Sequence, residues 1–273
     1  MKKRPKSEDT RLTHAQLLKV MELIPGADSV ELKLTVQSME HRATIAALPL
    51  DPVEAEPRQV FFFDTPDLAL SRAGVVVRAR RRPGGDADTV IKLRPVIPAE
   101  LPGELRKSAS FKVEVDCMPS GFVCSGSLRG RARGDDVRDV AASAMPLRKL
   151  FTKPQRAFFE EHAPAHITLD SLATLGPVFA LKMAFRPSEM NRRVVAEFWL
   201  YPDGSRLLEI STKCPPEDAF KVAVQLRAYV AKHGVTISSV QETKTKMALD
   251  FYSRELKKMR VAGRRAPGVA AQL

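Results

Sequence analysis

Charged and apolar residues alternate at every second position in the stretch 61–94. Successive side chains of an extended strand point to opposite faces, so this alternation predicts two strands that each have one apolar and one charged face. The charged face carries Arg78, Arg80, Arg82, Lys92 and Arg94. A turn with two glycines separates the strands, which predicts a β-hairpin. Because like charges opposite each other destabilise a sheet, we expect an anion on this face. The alternative is the solvated face of a surface hairpin.

The same period recurs along the rest of the chain. At least seven stretches alternate in this way between turn residues, which is typical of an antiparallel sheet or barrel. Helices are predicted near 13–25, where Thr13 and Gln16 form a capping box, and at 215–234 and 242–258. If these helices cover the apolar faces of a closed sheet, the charged faces converge on a lumen. We therefore predict an α+β fold in which helices pack on the outside of a closed β-barrel.

The domain organisation follows from composition. Residues 12–258 are predicted to form a single domain between two disordered basic tails, 1–11 and 259–273. Prolines interrupt two helical segments around 135–163, which predicts a helical insertion or lid. The three cysteines lack the spacing of a zinc site or a disulfide framework, which is typical of a cytoplasmic protein. Neither a signal peptide nor an apolar run of about 18 residues is found, so no membrane contact is predicted.

The charge of the chain narrows the class of ligand. Its formal net charge of +12 favours an anionic partner. No glycine-rich phosphate-binding loop occurs, so side chains must bind any phosphate. Carboxylates interleave with the cations, whereas a nucleic-acid surface favours cations with exposed aromatic residues. Carboxylates bind Mg²⁺ or Mn²⁺, and guanidinium and ammonium groups bind phosphate oxygens. The pattern thus predicts a chamber for metal and phosphate, with no specific nucleic acid as partner.

The chain resembles the CYTH domain of the triphosphate tunnel metalloenzymes over most of residues 27–252. The similarity rests on SVELKL, FFDTPDLALSRAGVVVRARR, VIKL, FKVEVD, LLEIS and a late TKTK. The resemblance implies a closed eight-stranded antiparallel tunnel that binds a triphosphate together with Mg²⁺ or Mn²⁺. Members of the family include inorganic, thiamine and RNA triphosphatases and class IV adenylyl cyclases.

The resemblance and the strand phase together suggest roles for individual residues. The expected catalytic residues are Glu31, Lys33 and Glu114. The expected metal ligands are Glu31, Glu114, Asp116, Glu197 and Glu209. The expected phosphate ligands are Lys33, Arg78, Arg80, Lys92, Arg94, Lys182, Arg186, Arg193, Lys213, Lys244 and Lys246. The alternative for Glu114 and Asp116 is an ion pair with the arginines and no metal.

Two positions depart from the family's pattern. Ser29 and Ser211 stand where the family has glutamates, and each change removes an anionic ligand from a metal site. Triphosphate binding is therefore expected to survive better than hydrolysis. The expected activity is hydrolysis of tripolyphosphate, a nucleoside triphosphate or thiamine triphosphate by in-line attack of a metal-activated water. The alternatives are a class IV-type adenylyl cyclase and a catalytically weakened phosphate- or polyphosphate-binding protein.

Overall fold

The computed structural model describes residues 14–241 and 243–261, which form nine strands and eight helices. The strands are β1 (Ser29–Thr35), β2 (Glu56–Asp64), β3 (Val75–Arg81), β4 (Asp86–Leu93), β5 (Phe111–Met118), β6 (Gly121–Arg133), β7 (Ala173–Phe185), β8 (Val194–Leu200) and β9 (Arg206–Cys214). The helices are α1 (His14–Leu23), α2 (His41–Ala47), α3 (Ala69–Arg72), α4 (Gly103–Lys107), α5 (Gly134–Ala141), α6 (Lys153–His162), α7 (Ala219–Lys232) and α8 (Lys244–Val261).

Some of the sequence predictions fall at the ends of the chain. The predicted capping residue Thr13, the tail 1–11 and residues 262–273 lie outside the described residues. Residues 259–261, which were assigned to the second tail, continue α8. None of the helices in the described part of the chain is long and apolar enough to span a lipid bilayer.

The strands form a closed barrel in the order β1-β5-β6-β4-β3-β2-β7-β8-β9, and β9 pairs with β1 to close the ring. The prediction of a closed barrel is confirmed, but the prediction of eight antiparallel strands is wrong. The ring has nine strands, and β1 runs parallel to β5. Directions that alternate around a ring close only for an even number of strands, so a ring of nine must contain a parallel pair. The two strands of a parallel pair need a long connection, and here β2, β3 and β4 lie between β1 and β5 in the sequence.

The hairpin predicted at 61–94 is formed by β3 and β4, which pair in register from Val75 opposite Leu93 to Arg81 opposite Ala87. Its turn contains Gly84 and Gly85 with φ of +81° and +85°, a region that glycine enters without steric cost. The alternation of the sequence therefore predicts both the pairing and the face of each side chain in this hairpin.

The main hydrophobic core lies outside the barrel wall, between the strands and the helices that cover them. On β1 the residues Val30, Leu32 and Leu34 are buried in this core, which also contains Val222 and Leu226 of α7. Burying each such side chain stabilises the fold by about 1.5–3 kcal/mol. Because the apolar face points outward, the alternate positions of β1 point into the lumen.

The helices at 134–162 pack on the outer wall of the barrel. Gln155 of α6 is fully buried and donates from Nε2 to the backbone oxygens of Thr89 on β4, at 3.3 Å, and Leu128 on β6, at 3.2 Å. A Cβ at Gly130 would lie 2.4 Å from the Gln155 Oε1, so only glycine fits beneath this side chain. These contacts fix α6 to the two strands from outside.

A second, smaller core fills part of the lumen. Phe62 of β2 lies opposite Arg78, whose side chain lines the lumen, and therefore points to the same side of the sheet. It is buried together with Trp199 of β8 and with Ala248 and Leu249 of α8. Helix α8 therefore packs on the lumen side of the strands and occupies that part of the barrel, so the prediction that the helices pack outside the barrel is wrong for α8. Thr243, which precedes α8, and its first residues Lys244 and Thr245 line the space that remains.

Candidate functional site: a charged chamber in the barrel

The remaining lumen is a chamber of about 640 Å³ whose wall is formed mainly by the inward positions of the strands. Fourteen basic and six acidic side chains line it. The basic residues are Lys33, Arg58, Arg78, Arg80, Arg82, Lys92, Arg94, Arg129, Arg131, Lys182, Arg192, Arg193, Lys213 and Lys244. The acidic residues are Glu31, Asp88, Glu114, Asp116, Glu197 and Glu209. Such a concentration of buried charge is stable only if the charges pair or a ligand balances them.

The structure brings together all but two of the site residues that the sequence predicts. Arg186 does not line the chamber, because β7 ends at Phe185 and the strand alternation ends with it; its Nη1 donates to the Asn191 backbone oxygen. Lys246 is also outside, paired with Asp250 on the exposed side of α8. Residues two apart on a helix point in different directions, so of the two lysines in the late TKTK only Lys244 reaches the lumen.

Three of the five predicted metal ligands form one cluster, called here the acidic trio: Glu31, Glu114 and Asp116. Carboxylate oxygens of the three residues lie within 4.8 Å of one another. The parallel register of β1 and β5 places Ser29 opposite Glu114 and Glu31 opposite Asp116, so inward positions of both strands meet at this seam. Three carboxylates at this spacing match the oxygen donors that Mg²⁺ and Mn²⁺ prefer, so the acidic trio fits a divalent ion.

Cations contact every member of the acidic trio. The Lys33 Nζ lies 2.6 Å from Asp116 Oδ1 and 3.2 Å from Glu31 Oε2. The Arg94 Nη1 lies 2.9 Å from the other Asp116 oxygen, and Lys213 donates to Glu114. Burial alone would raise the pKa of Asp116, but the cations around it, Lys33 first and then Lys92 and Arg94, hold it well below its usual range. Lys33 and Lys213 likewise lower the pKa of Glu31 against the effect of burial.

The other two predicted metal ligands, Glu197 and Glu209, form a separate group. They lie opposite each other on β8 and β9, and the Lys244 ammonium donates to both. Trp199 donates from Nε1 to Glu197 at 3.3 Å, and Lys244 lies 5.5 Å from the centre of the Trp199 ring. Burial disfavours the ammonium form, yet the two carboxylates raise the pKa of Lys244 above its ordinary value. This group is held by a lysine, and Glu197 and Glu209 lie apart from the acidic trio.

Other cations that line the chamber have no carboxylate partner within ion-pair distance among the described residues. These cations are Arg78, Lys92, Arg129, Arg131, Lys182 and Arg193. Arg78 and Lys92 are the most enclosed of them; burial lowers the pKa of both, and that of Lys92 falls to about 8. A buried cation without a partner destabilises the folded state, so Arg78 and Lys92 favour an anionic ligand.

Several lining residues were missed in the sequence. Arg129 and Arg131 belong to SLRGRARG, a stretch rich in glycine and arginine through which β6 continues to Arg133. The R-x-R spacing there was a usable signal. Arg58 could not be recognised as a lining residue, because both faces of β2 are buried at the three phenylalanines that follow and the alternation is lost there. Its guanidinium lies 3.7 Å from Glu197.

Comparison with known proteins supports the same fold. No family model matches the chain, and no curated protein matches it in sequence. The structure is similar to an adenylyl cyclase candidate from Hippeastrum that reveals a dominant triphosphatase activity, with a TM-score of 0.58 and 14% identity over 88% of this chain and 99% of that one. It is also similar to an adenylate cyclase candidate from Bacillus halodurans, with a TM-score of 0.54 and 12% identity over 81% of this chain and 97% of the other. The chain therefore shares the fold of these two proteins.

Proposed function

We propose that the chain binds a small triphosphate-containing molecule in this chamber and hydrolyses it with the help of Mg²⁺ or Mn²⁺. The observation that carries the proposal is the arrangement of charge: cations without a carboxylate partner and the acidic trio line the same chamber. Linear phosphates offer many oxygens to such cations, and a divalent ion links phosphate oxygens to carboxylates. The dominant triphosphatase activity of the Hippeastrum protein agrees with this proposal.

The proposed roles follow from position. Arg78, Lys92 and the cations around them bind the phosphate oxygens and stabilise the charge that spreads over the transferred phosphoryl group. Glu31, Glu114 and Asp116 would hold the metal. When bound there, a divalent ion would neutralise phosphate charge and lower the pKa of a coordinated water. Lys33, which contacts Glu31 and Asp116, keeps both carboxylates in place.

A second candidate is a phosphate-binding protein with weak catalysis. It is favoured by the environment of Glu114, which accepts a hydrogen bond from Ser29 Oγ at 3.3 Å and another from the Lys213 ammonium. Ser29 and Ser211 provide hydroxyls where the related family has carboxylates, so fewer anionic ligands remain for a metal. In this case phosphate affinity would persist with little turnover.

Phosphate release from tripolyphosphate and from ATP, with and without Mg²⁺ or Mn²⁺, tests the proposal. We expect metal-dependent release that Glu31→Gln reduces by about a hundredfold or more, as for a ligand of the catalytic metal. Arg186→Gln is the matched control, because Arg186 lies outside the chamber, and it should leave the rate unchanged.

The outcomes separate the candidate functions. Binding of tripolyphosphate without metal-dependent release would establish the weakened binder. Formation of cyclic AMP and pyrophosphate from ATP would identify a cyclase. Absence of any tripolyphosphate binding would reject the chamber as a phosphate site.

A further inference from the structure

The acidic trio is already neutralised by side chains of the chain itself. Its three carboxylates contact three cations, Lys33, Arg94 and Lys213. A divalent ion that enters the trio therefore meets a site without net negative charge. A divalent ion in the trio would lie close to these cations, and the repulsion between like charges favours the departure of at least one of them when a metal binds.

Lys213 is the cation best placed to leave. Its side chain is 49% exposed, whereas those of Lys33 and Arg94 are 15% and 22% exposed. It is the last residue but one of β9, and its ammonium group forms ion pairs only with Glu114 and, at 3.8 Å, Glu31 in the described part of the chain. Lys33 and Arg94, by contrast, both contact Asp116, which is almost completely buried. A charge near solvent loses less on separation than a buried one.

We infer that Lys213 is an internal counter-ion that a divalent metal displaces from Glu114 and Glu31, so that this lysine sets the metal affinity of the chamber. This inference rests on the metal site of the proposed function. Released from Glu114, the ammonium group remains tethered at the wall of the chamber and can bind a phosphate oxygen there. Metal binding then adds a cation to the phosphate site, so that metal and triphosphate each increase the affinity for the other.

The inference is tested by direct Mn²⁺ binding, measured by electron paramagnetic resonance and calorimetry in the absence of any phosphate. Lys213→Met removes the competing ammonium but keeps the length of the side chain. We expect it to tighten Mn²⁺ binding by about tenfold or more, a factor equivalent to ~1.4 kcal/mol. Lys182→Met is the matched control: it removes the same charge from the same chamber, but Lys182 has no ion pair with the acidic trio. It should change the Mn²⁺ affinity by less than about threefold.

Two further variants keep the test decisive. Lys213→Gln serves if the methionine variant does not fold, which its melting curve reports, and the same tightening is expected. Lys213→Arg keeps the charge and should leave Mn²⁺ binding as weak as in the parent protein. Equal effects of the Lys213 and Lys182 variants, no change in Lys213→Met, or no Mn²⁺ binding in any variant would each overturn the inference.

The experiments also distinguish a failure of this inference from a failure of the proposed function. Tighter Mn²⁺ binding in Lys213→Met without phosphate release from tripolyphosphate would uphold the counter-ion and reject hydrolysis. Metal-dependent phosphate release in the parent protein with unchanged Mn²⁺ affinity in Lys213→Met would uphold hydrolysis and reject the counter-ion.

Discussion

Replacing Lys92 with methionine should make the ligand-free protein more stable. Lys92 has no carboxylate within ion-pair distance among the described residues, and burial lowers its pKa from 10.5 to about 8. In the unfolded chain the pKa returns to the ordinary value, so charging this lysine opposes folding. The difference of about 2.5 pKa units corresponds to roughly 3 kcal/mol of lost stability below pH 8. Methionine fills a similar space without a charge.

The destabilising effect of Lys92 depends on pH. Between about pH 8 and 10.5 the unfolded state holds a proton on Lys92 that the folded state has released. The free energy of unfolding of the parent protein therefore rises with pH across this window, as far as this group is concerned. The advantage of Lys92→Met should be full at pH 7 and should disappear as the pH approaches 10.5.

Urea unfolding of both proteins at pH 7 and pH 10 measures the effect. We expect Lys92→Met to gain about 1–3 kcal/mol at pH 7, since part of the penalty is relieved by water in the chamber. Lys112→Met is the matched control, an exposed lysine on β5, and should stay within about 0.5 kcal/mol of the parent. Addition of tripolyphosphate should raise the melting temperature of the parent protein more than that of Lys92→Met. A loss of stability at pH 7, or an equal gain at both pH values, would refute the reasoning.

Three further changes test other parts of the structure. Arg78→Ala should weaken the binding of tripolyphosphate and of ATP by the same factor, about tenfold or more in calorimetry, because a lost phosphate contact does not depend on the rest of the ligand. Unequal factors would indicate that the protein recognises the base of ATP. Gly130→Ala should lower the free energy of unfolding by about 1–3 kcal/mol, since its Cβ would meet the Gln155 side chain; an unchanged melting curve would show that α6 is not anchored there. Lys244→Met leaves two carboxylates without their cation and should lower the free energy of unfolding by about 3 kcal/mol at pH 7 but by less at pH 4. Replacement of the exposed Lys246 by methionine should lower it by less than about 0.5 kcal/mol.

The barrel and most of its lining could be predicted because alternation of charge is a local property. The side-chain face of a strand follows from its own sequence, so Arg78, Lys92 and Glu209 were placed correctly without knowledge of their neighbours. The inference failed where the element changed. Arg186 lies beyond the end of β7, and Lys246 lies on a helix, where the period is no longer two.

The pairing of strands could not be predicted in the same way. Alternation does not specify which strands are neighbours or in which direction they run, and the parallel pair of β1 with β5 joins segments about eighty residues apart. The grouping of the carboxylates depends on this pair. For the same reason, the sequence could not show that Glu197 and Glu209 lie with Lys244 and apart from the acidic trio.

The unpaired cations and the acidic trio thus have different origins and different requirements. The unpaired cations include Arg78 and Lys92 of a local hairpin, β3 and β4, and they favour an anion whether or not a metal is present. The acidic trio forms at the long-range seam of β1 and β5 and is neutral without a metal, because the chain supplies three cations of its own. Binding of phosphate therefore depends on an imbalance of charge that exists in the folded chain, whereas binding of a metal competes with existing ion pairs. For this reason phosphate affinity should be the more robust property of the chamber, and changes at the seam should alter metal dependence before they alter phosphate binding.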